Sequence, residues 1–176
     1  MSFTMRKKNI LIAGPPGIGK TTLIRRIAHD LQNFNPAGFF TEEIRVKGIR
    51  KGFSLVSFDG KRGMLSHTDI TSRYRVGKYG VDIEVFDDFL GHIAFSGPDT
   101  GVIIIDEIGK MECISDRFKK LLKTVLEQER PVIATIASKG EGIIEEIKKR
   151  DDVELFVMTL NNRNSLLPEI LKLFPS

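Results

Sequence analysis

The 176-residue chain has little of several features that mark particular classes of protein. Its one cysteine, Cys113, has no partner for an intramolecular disulfide, which suits a reducing compartment. No apolar run approaches the roughly 20 residues of a membrane span, and residues 1–8 are too few and too polar for a signal peptide. We therefore expect a cytoplasmic protein without a membrane segment, in which Cys113 is a small buried hydrophobe.

The chain also lacks a large excess of charge of one sign. Its net charge is +4 and its pI is about 9.2, and we expect part of this excess to serve phosphate binding rather than nucleic acid. Hydrophobic residues make up 41% and charged residues 28%, which is typical of a soluble globular chain. The length fits one domain over residues 1–176, with room for a subdomain insertion. We expect a monomer whose partners are small molecules rather than nucleic acid or a membrane.

The most specific motif lies near the N-terminus. Gly14-Pro15-Pro16-Gly17-Ile18-Gly19-Lys20-Thr21 fits the phosphate-binding pattern G-x-x-x-x-G-K-[ST]. A short apolar run precedes it and a helical pattern follows it, which is the strand–loop–helix context that the motif requires. The glycines allow a curled backbone whose N–H groups, from Gly17 to Thr22, bind phosphate together with the helix N-terminus. We predict that Lys20 binds the β- and γ-phosphates and that Thr21 ligates Mg²⁺.

After the first helix the periodicity changes from helical to alternating. Residues 38–46 and 52–58 have the pattern of strands joined by a basic turn at 47–51, and a further turn leads to a third strand that ends at His67. The pattern therefore predicts an antiparallel meander inserted at 38–67. The basic turn has no interleaved aromatic platform, so it is a weak candidate for binding nucleic acid.

A basic segment punctuated by glycine follows at 72–82 and contains both tyrosines of the chain. Two interpretations stay open. The segment is either an exposed loop that leads into a strand, or a mobile element that brings Arg73, Arg75 or Lys78 over a bound triphosphate.

A second motif follows the β-branched run at 102–105, where the sequence continues Asp106-Glu107-Ile108-Gly109. Such a run indicates a parallel strand that delivers a carboxylate at its C-terminal end, where open α/β sheets bind ligands. This is a Walker-B pattern. We predict that Asp106 holds Mg²⁺ through water and that Glu107 orients or deprotonates an attacking water. The four residues complete the predicted nucleotide-binding set.

The rest of the chain alternates between helical and strand patterns. The predicted helices cover 84–95, 115–129 and 142–150, with a last helix capped by Ser165, and the predicted strands cover 131–136 and 153–160. This alternation predicts an α/β fold, a three-layer sandwich with a mostly parallel sheet and helices on both faces.

With both motifs in place, the chain resembles the THEP-type nucleoside-triphosphatase family over residues 8–174. The resemblance is carried by the phosphate loop, by the segments 41–45 and 75–77, and most distinctively by the heptapeptide 106–112. It implies a P-loop fold of the additional-strand, catalytic-glutamate type and Mg²⁺-dependent hydrolysis of several nucleoside triphosphates. It also implies nucleotide contacts at 14–21 and 102–109. Lys110 and Glu112 match the family without an evident role, and Lys110 either neutralises phosphate charge or forms an ion pair.

Two other functions stay open beside hydrolysis. A nucleoside or nucleotide kinase uses the same loop and would use the basic segment at 72–82 as a lid. A regulatory nucleotide-binding or nucleic-acid-associated module is the other, since Asp106-x-x-Gly109 has the spacing of a switch motif. The segment Asn161-Asn162-Arg163-Asn164 lacks the aspartate of a guanine-reading motif, yet follows the last predicted strand. Base preference and the source of a basic finger, with Arg73, Arg75 and Lys110 as candidates, stay open.

Overall fold

The apolar runs of the sequence form strands of a single nine-stranded sheet, with order β5-β6-β4-β3-β2-β7-β8-β1-β9, in a computed structural model that describes residues 7–174. The strands are β1 (Asn9–Ala13), β2 (Pro36–Val46), β3 (Ile49–Ser57), β4 (Arg62–His67), β5 (Arg75–Val76), β6 (Tyr79–Val81), β7 (Val102–Ile108), β8 (Val132–Ile136) and β9 (Val153–Val157). The helices are α1 (Lys20–Asp30), α2 (Ile83–Gly91), α3 (Asp116–Glu127), α4 (Ile143–Lys148) and α5 (Leu166–Leu171), with short 3₁₀ turns at Gln32–Phe34 and Glu112–Ile114. None of the helices within these residues is long and apolar enough to cross a membrane.

Strands β2, β7, β8, β1 and β9 pair in parallel and form one half of the sheet, which we call the parallel half. Every residue of β1 and β8 is buried, because apolar side chains cover both faces. Helices α1 and α5 pack on one face, and residues of α2, α3 and α4 pack on the other. Strand β8 lies between β1 and β7, which is the additional-strand arrangement. The predicted three-layer α/β sandwich is therefore confirmed.

Strand β2 belongs to both halves of the sheet. Residues 36–39 pair in parallel with β7, and residues 39–46 pair with β3 in the antiparallel direction. Gly38 makes this passage possible, because a Cβ atom there would lie 1.8 Å from the Ile104 carbonyl oxygen, and its φ is +142°. The remaining strands, β3 to β6, continue the antiparallel half.

The antiparallel half differs from the expected meander in two places. Strands β2 to β4 cover residues 38–67, but a further hairpin of β5 and β6 extends the half and occupies the basic segment at 72–82. The turn expected at 47–51 is shorter. Lys47 and Gly48 both have positive φ, 49° and 80°, which suits a two-residue hairpin turn. Arg50 consequently lies in β3 rather than in a loop.

Several element ends also differ from the sequence patterns. Strand β9 ends at Val157 instead of residue 160, because the Asn162 side chain bonds both the Val157 carbonyl and the Thr159 N–H. Ser165 occupies the N-cap position of the last helix, as predicted, but its side chain makes no capping hydrogen bond, since its hydroxyl donates to the Asn162 carbonyl. Helix α2 ends at Gly91, four residues before the predicted end.

Candidate active site

The phosphate-binding loop joins β1 to α1 at the C-terminal end of the parallel strands. Gly17 and Gly19 have φ values of +77° and +110°, so the chain curls there as only glycine does easily. A Cβ atom on Gly14 would lie 2.9 Å from the Met158 carbonyl oxygen, which keeps this position free of a side chain. Lys20 Nζ donates to the carbonyl oxygens of Gly14, at 2.8 Å, and Pro15, at 3.2 Å. The lysine therefore lies along the curled loop.

The rest of the phosphate-binding loop has one side chain buried in the core and two exposed prolines. Ile18 is buried in the core with α1 and α5, while Pro15 and Pro16 are exposed. Helix α1 begins at Lys20, and the first N–H groups of a helix have no partner within it. Thr22, exposed in that first turn, adds one such group. These N–H groups and the positive end of the helix form an anion-binding site.

Asp106, near the C-terminal end of β7, is held by groups from three other elements. Its Oδ2 accepts from Thr21 Oγ1 at 2.7 Å and from Thr41 Oγ1 at 3.2 Å and N at 3.3 Å. Its Oδ1 accepts from Thr135 Oγ1 at 2.6 Å. The residue is 1% exposed. Because all of these groups donate, they fix the carboxylate beside the hydroxyl of Thr21.

The Thr21–Asp106 pair has the chemistry of a magnesium site. A hydroxyl and a carboxylate oxygen 2.7 Å apart are hard ligands, and Mg²⁺ at phosphate sites is usually held by one or two protein oxygens together with substrate phosphates and water. Within residues 7–174 no cluster of three or more His, Cys, Asp or Glu side chains is arranged to hold a metal. The residues present thus fit Mg²⁺ bound with a phosphate chain.

The carboxyl groups of Glu107 and Glu112 both lie beside Gly109, close to Asp106. A Cβ atom on Gly109 would lie 3.3 Å from Glu107 Oε1 and 2.9 Å from Glu112 Oε2, so the glycine leaves room for both carboxyl groups. Burial raises the pKa of Glu107, and the charge of Asp106 raises it further. Burial also raises the pKa of Glu112 well above its usual range, with Glu107 adding to the effect. The heptapeptide 106–112 is therefore one compact acidic unit.

These groups border a cavity of about 660 Å³ at the edge of the sheet. Its lining comes from the loop and α1 (Pro16, Gly17, Gly19, Lys20, Thr21, Thr22, Arg25), from β2 and β3 (Thr41, Glu42, Glu43, Arg50, Phe53), and from β7 (Asp106, Glu107). Both halves of the sheet thus contribute to it. The cavity has the residues to bind a triphosphate chain and to bring a carboxylate to its end.

Sequence relatives identify the family. The family model described as NTPase matches residues 9–171. The nucleoside-triphosphatase THEP1 of Thermotoga sp. (strain RQ2) is 44% identical over 163 residues, and the match covers 92% of each chain. The chain belongs to the THEP1-type nucleoside-triphosphatase family. The resemblance predicted from its motifs is thereby confirmed, and the chain is a hydrolase that acts on nucleoside triphosphates.

More distant relatives and solved structures agree. The human cancer-related nucleoside-triphosphatase is 38% identical, with 93% of this chain and 95% of the relative covered. The crystal structure of THEP1 from Aquifex aeolicus matches with a TM-score of 0.84 at 34% identity, covering 96% of this chain and 99% of that one. This nucleoside-triphosphatase therefore has the fold of its family along nearly its whole length.

The basic residues singled out in the sequence lie elsewhere in this nucleoside-triphosphatase. Of the part of the chain that the structure describes, Arg73, Arg75 and Lys110 do not line the cavity. Arg73 donates to the Tyr74 hydroxyl, and Arg75 to the Lys78 carbonyl. The arginines that do line the cavity are Arg25 and Arg50, which sequence reasoning missed. The Lys47-Gly48 turn is the signal that could have placed Arg50 on a strand.

The structure also shows the surroundings of Cys113 and of the loop at 161–164. Cys113 packs half-buried against the core, and burial raises the pKa of its thiol to about 12. The thiolate is therefore scarce at neutral pH. The loop that contains Asn161-Asn162-Arg163-Asn164 follows Met158, whose N–H donates to the Ala13 carbonyl at 2.7 Å. That loop thus leaves the sheet next to the phosphate-binding loop.

Proposed function

We propose that this nucleoside-triphosphatase hydrolyses several nucleoside triphosphates, including ATP and GTP, with Mg²⁺. In this proposal Lys20 and Glu107 are catalytic, and Thr21 and Asp106 hold the metal. The observation that carries the proposal is the 2.7 Å contact between Thr21 Oγ1 and Asp106 Oδ2. Thr21 directly follows Lys20, and Asp106 directly precedes Glu107. The contact therefore brings both proposed catalytic residues to the same part of the cavity.

In this proposal the enzyme binds its substrate mainly through the phosphate groups. The N–H groups of residues 17–22 and the positive end of α1 bind the β-phosphate. The Lys20 amine has three donor hydrogens, so it can keep its bond to the Gly14 carbonyl and still donate to the β- and γ-phosphates. Ile108 and Gly109 extend the nucleotide-binding segment after Asp106. Because every nucleoside triphosphate shares these phosphates, the arrangement supports a broad base specificity.

The chemical step needs a base and a site for negative charge. Mg²⁺ bound with the phosphates would neutralise the charge that develops on the leaving diphosphate. Glu107 orients a water molecule whose oxygen attacks the γ-phosphorus, and its carboxylate accepts the proton that the water loses. The bond from the γ-phosphorus to the β–γ bridging oxygen breaks, and Lys20 stabilises the departing oxygen. Burial raises the pKa of Glu107, and a carboxylate with a raised pKa is a stronger base for this transfer.

A phosphate-release screen tests the proposal. Parental enzyme and the Glu107→Gln variant are assayed with ATP, GTP, CTP and UTP, each with Mg²⁺ and with EDTA. We expect the parental enzyme to release phosphate from all four with Mg²⁺ alone, and Glu107→Gln to bind nucleotide without releasing phosphate. Hydrolysis by Glu107→Gln at the parental rate would refute the role of Glu107. Activity on one base only, or equal activity in EDTA, would refute the breadth or the metal requirement.

The setting of the reaction is also part of this proposal. The single cysteine supports a cytoplasmic location, and the small net charge of +4 supports action on small molecules rather than on nucleic acid. A monomer is our default expectation. One domain over residues 1–176, with the insertion at 38–67, is the expected folding unit. Sedimentation at several protein concentrations tests the monomer, because a concentration-dependent mass would contradict it.

A further inference from the structure

The antiparallel half brings one arginine, Arg50, to the triphosphate cavity. Its Nε donates to the Tyr79 hydroxyl at 3.0 Å, and its NH1 donates to Glu43 Oε1 at 3.0 Å. The guanidinium carbon lies 5.3 Å from the centroid of the Phe53 ring. The side chain is nevertheless 44% exposed and lines the cavity together with Lys20. A ring, a hydroxyl and a carboxylate therefore orient the guanidinium while one side stays open.

Strand β2 connects the surroundings of Asp106 with those of Arg50. Thr41 donates to Asp106, and Glu43 lies two residues further along β2, about 7 Å away along the strand. Alternate residues of a strand share a face, so the Thr41 and Glu43 side chains leave β2 on the same side. Arg50 then contacts Glu43. The guanidinium thus lines the same cavity as Lys20 and Asp106, but it comes from β3 of the antiparallel half.

The charges around Glu43 leave Arg50 available for an anion. Glu43 Oε1 accepts from Arg50, and Glu43 Oε2 accepts from Arg45 Nε at 2.7 Å. The hydrogen bond from Arg50 holds the pKa of Glu43 below its usual value, with Arg45 contributing. One carboxylate thus faces two guanidinium groups, which leaves one positive charge in excess. If Arg50 exchanged Glu43 for a phosphate oxygen, Arg45 would still pair with Glu43.

We propose that Arg50 is the finger that this chain supplies to its own γ-phosphate. When a nucleoside triphosphate binds, Arg50 releases Glu43 and donates to the γ-phosphate oxygens. It then stabilises the charge that develops on these oxygens during hydrolysis. A planar guanidinium matches phosphate oxygens with two parallel bonds, and an arginine at the transferring phosphoryl group acts mainly on kcat. The inference rests on the proposed function of the Lys20–Glu107 site.

The test compares Arg50→Ala and Arg50→Lys with Arg45→Ala as a matched control. Arg45 shares Glu43 with Arg50 but does not line the cavity. We measure kcat and KM with Mg²⁺ and ATP, the Kd of a non-hydrolysable ATP analogue, and recovery of Arg50→Ala activity by added methylguanidinium. A finger role predicts a loss of kcat on the order of a hundredfold or more in Arg50→Ala. The analogue Kd should change by less than about fivefold, since the loop and Lys20 keep most phosphate contacts.

The other readouts separate this role from a structural one. Arg50→Lys keeps the charge without the planar fork, so it should recover part of kcat, and methylguanidinium should restore part of the activity of Arg50→Ala. Arg45→Ala should stay within about threefold of the parental kcat, as expected for an exposed ion pair. An unchanged kcat in Arg50→Ala, or equal losses in the Arg50 and Arg45 variants, would overturn the inference. The proposed function would survive either result, because its own test rests on Glu107→Gln, on the range of nucleotides and on EDTA, and none of these involves Arg50.

Discussion

The two halves of the sheet contribute to the active site in different ways. The parallel half places Lys20, Thr21 and Asp106 through a loop and a strand end, with bonds as short as 2.6 Å around the carboxylate. The antiparallel half contributes Thr41 and Arg50 by pairing across strands. The residues that we assign to the phosphate chain and the metal therefore come from local motifs, whereas strand pairing decides which further groups line the cavity.

The two halves of the sheet meet at Asp106 and at Gly38. Substitutions around these two positions test how far each half is stable and functional without the other. Asp106 accepts from Thr135 of the parallel half and from Thr41 of the antiparallel half. Gly38 lies where β2 passes from one half to the other. We therefore expect the largest effect from a substitution in the phosphate-binding loop, smaller effects at the junction of the two halves around Gly38 and Asp106, and the smallest effect at the surface.

The largest effect is expected at the loop. Lys20→Ala removes the amine that we assign to the β- and γ-phosphates, and Arg50, which is held by Glu43 and Tyr79, should not replace it. We expect phosphate release to fall at least a hundredfold, on the order expected for loss of a preorganised charge at the transferring phosphoryl group. Single-turnover phosphate release measures this. Parental rates would show that the antiparallel half supplies enough positive charge by itself.

The junction should respond next. Gly38→Ala places a Cβ atom 1.8 Å from the Ile104 carbonyl oxygen at a φ of +142°, so the backbone of β2 or β7 must shift. We expect the free energy of unfolding in urea to fall by at least about 3 kcal/mol. Gly63→Ala is the control, because its Cβ would meet Phe89 at an ordinary 3.4 Å. Equal stability of the two variants would show that the halves are not joined tightly at β2.

Two threonines then separate the contributions to Asp106. Thr135→Val deletes a buried hydroxyl that donates to the carboxylate at 2.6 Å, and we expect a loss of about 1–3 kcal/mol. Thr41→Val should cost less than about 1 kcal/mol, since Asp106 Oδ2 keeps the bond from Thr21. Urea unfolding of both variants checks the order. The reverse order would mean that the antiparallel half holds the carboxylate more firmly than the parallel half does.

The smallest effect is expected at the surface of the antiparallel half. Arg62 pairs with Glu42 at 3.1 Å, but the Arg62 side chain is 64% exposed. We expect Arg62→Ala to change the free energy of unfolding by less than about 1 kcal/mol, because water and salt screen such pairs. The same urea titration measures this change. A larger loss would show that an exposed ion pair of the antiparallel half stabilises the fold more than screening allows.

The sequence predicted most of the parallel half because its signals are local. A run such as 102–105 is apolar because both faces of β7 are covered, and the loop motif needs only eight consecutive residues. The antiparallel half was harder to predict. Gly38 is required by the approach of Ile104, 66 positions away in the chain, and no local pattern reports such a contact. Arg50 was assigned to a turn because its basic neighbours resemble a loop.

Side-chain convergence was the other part that the sequence did not predict. Glu112 follows Glu107 by five positions, which suggests no contact until a 3₁₀ turn at Glu112–Ile114 folds it back over Gly109. Thr135 has the appearance of an ordinary strand residue until the order of strands places it beside Asp106. Its role follows from which strands are neighbours, and that is a property of the whole sheet.

The shared strand β2 decides how this protein can be redesigned. A shortened chain without residues 38–67 would not be a smaller version of the enzyme, because β7 would lose a neighbour and present unpaired N–H and C=O groups to water. Asp106 would lose the bonds from Thr41 at the same time. A foreign segment is better grafted at the hairpin tip, Lys47-Gly48, where both residues are exposed and the ladder is already complete.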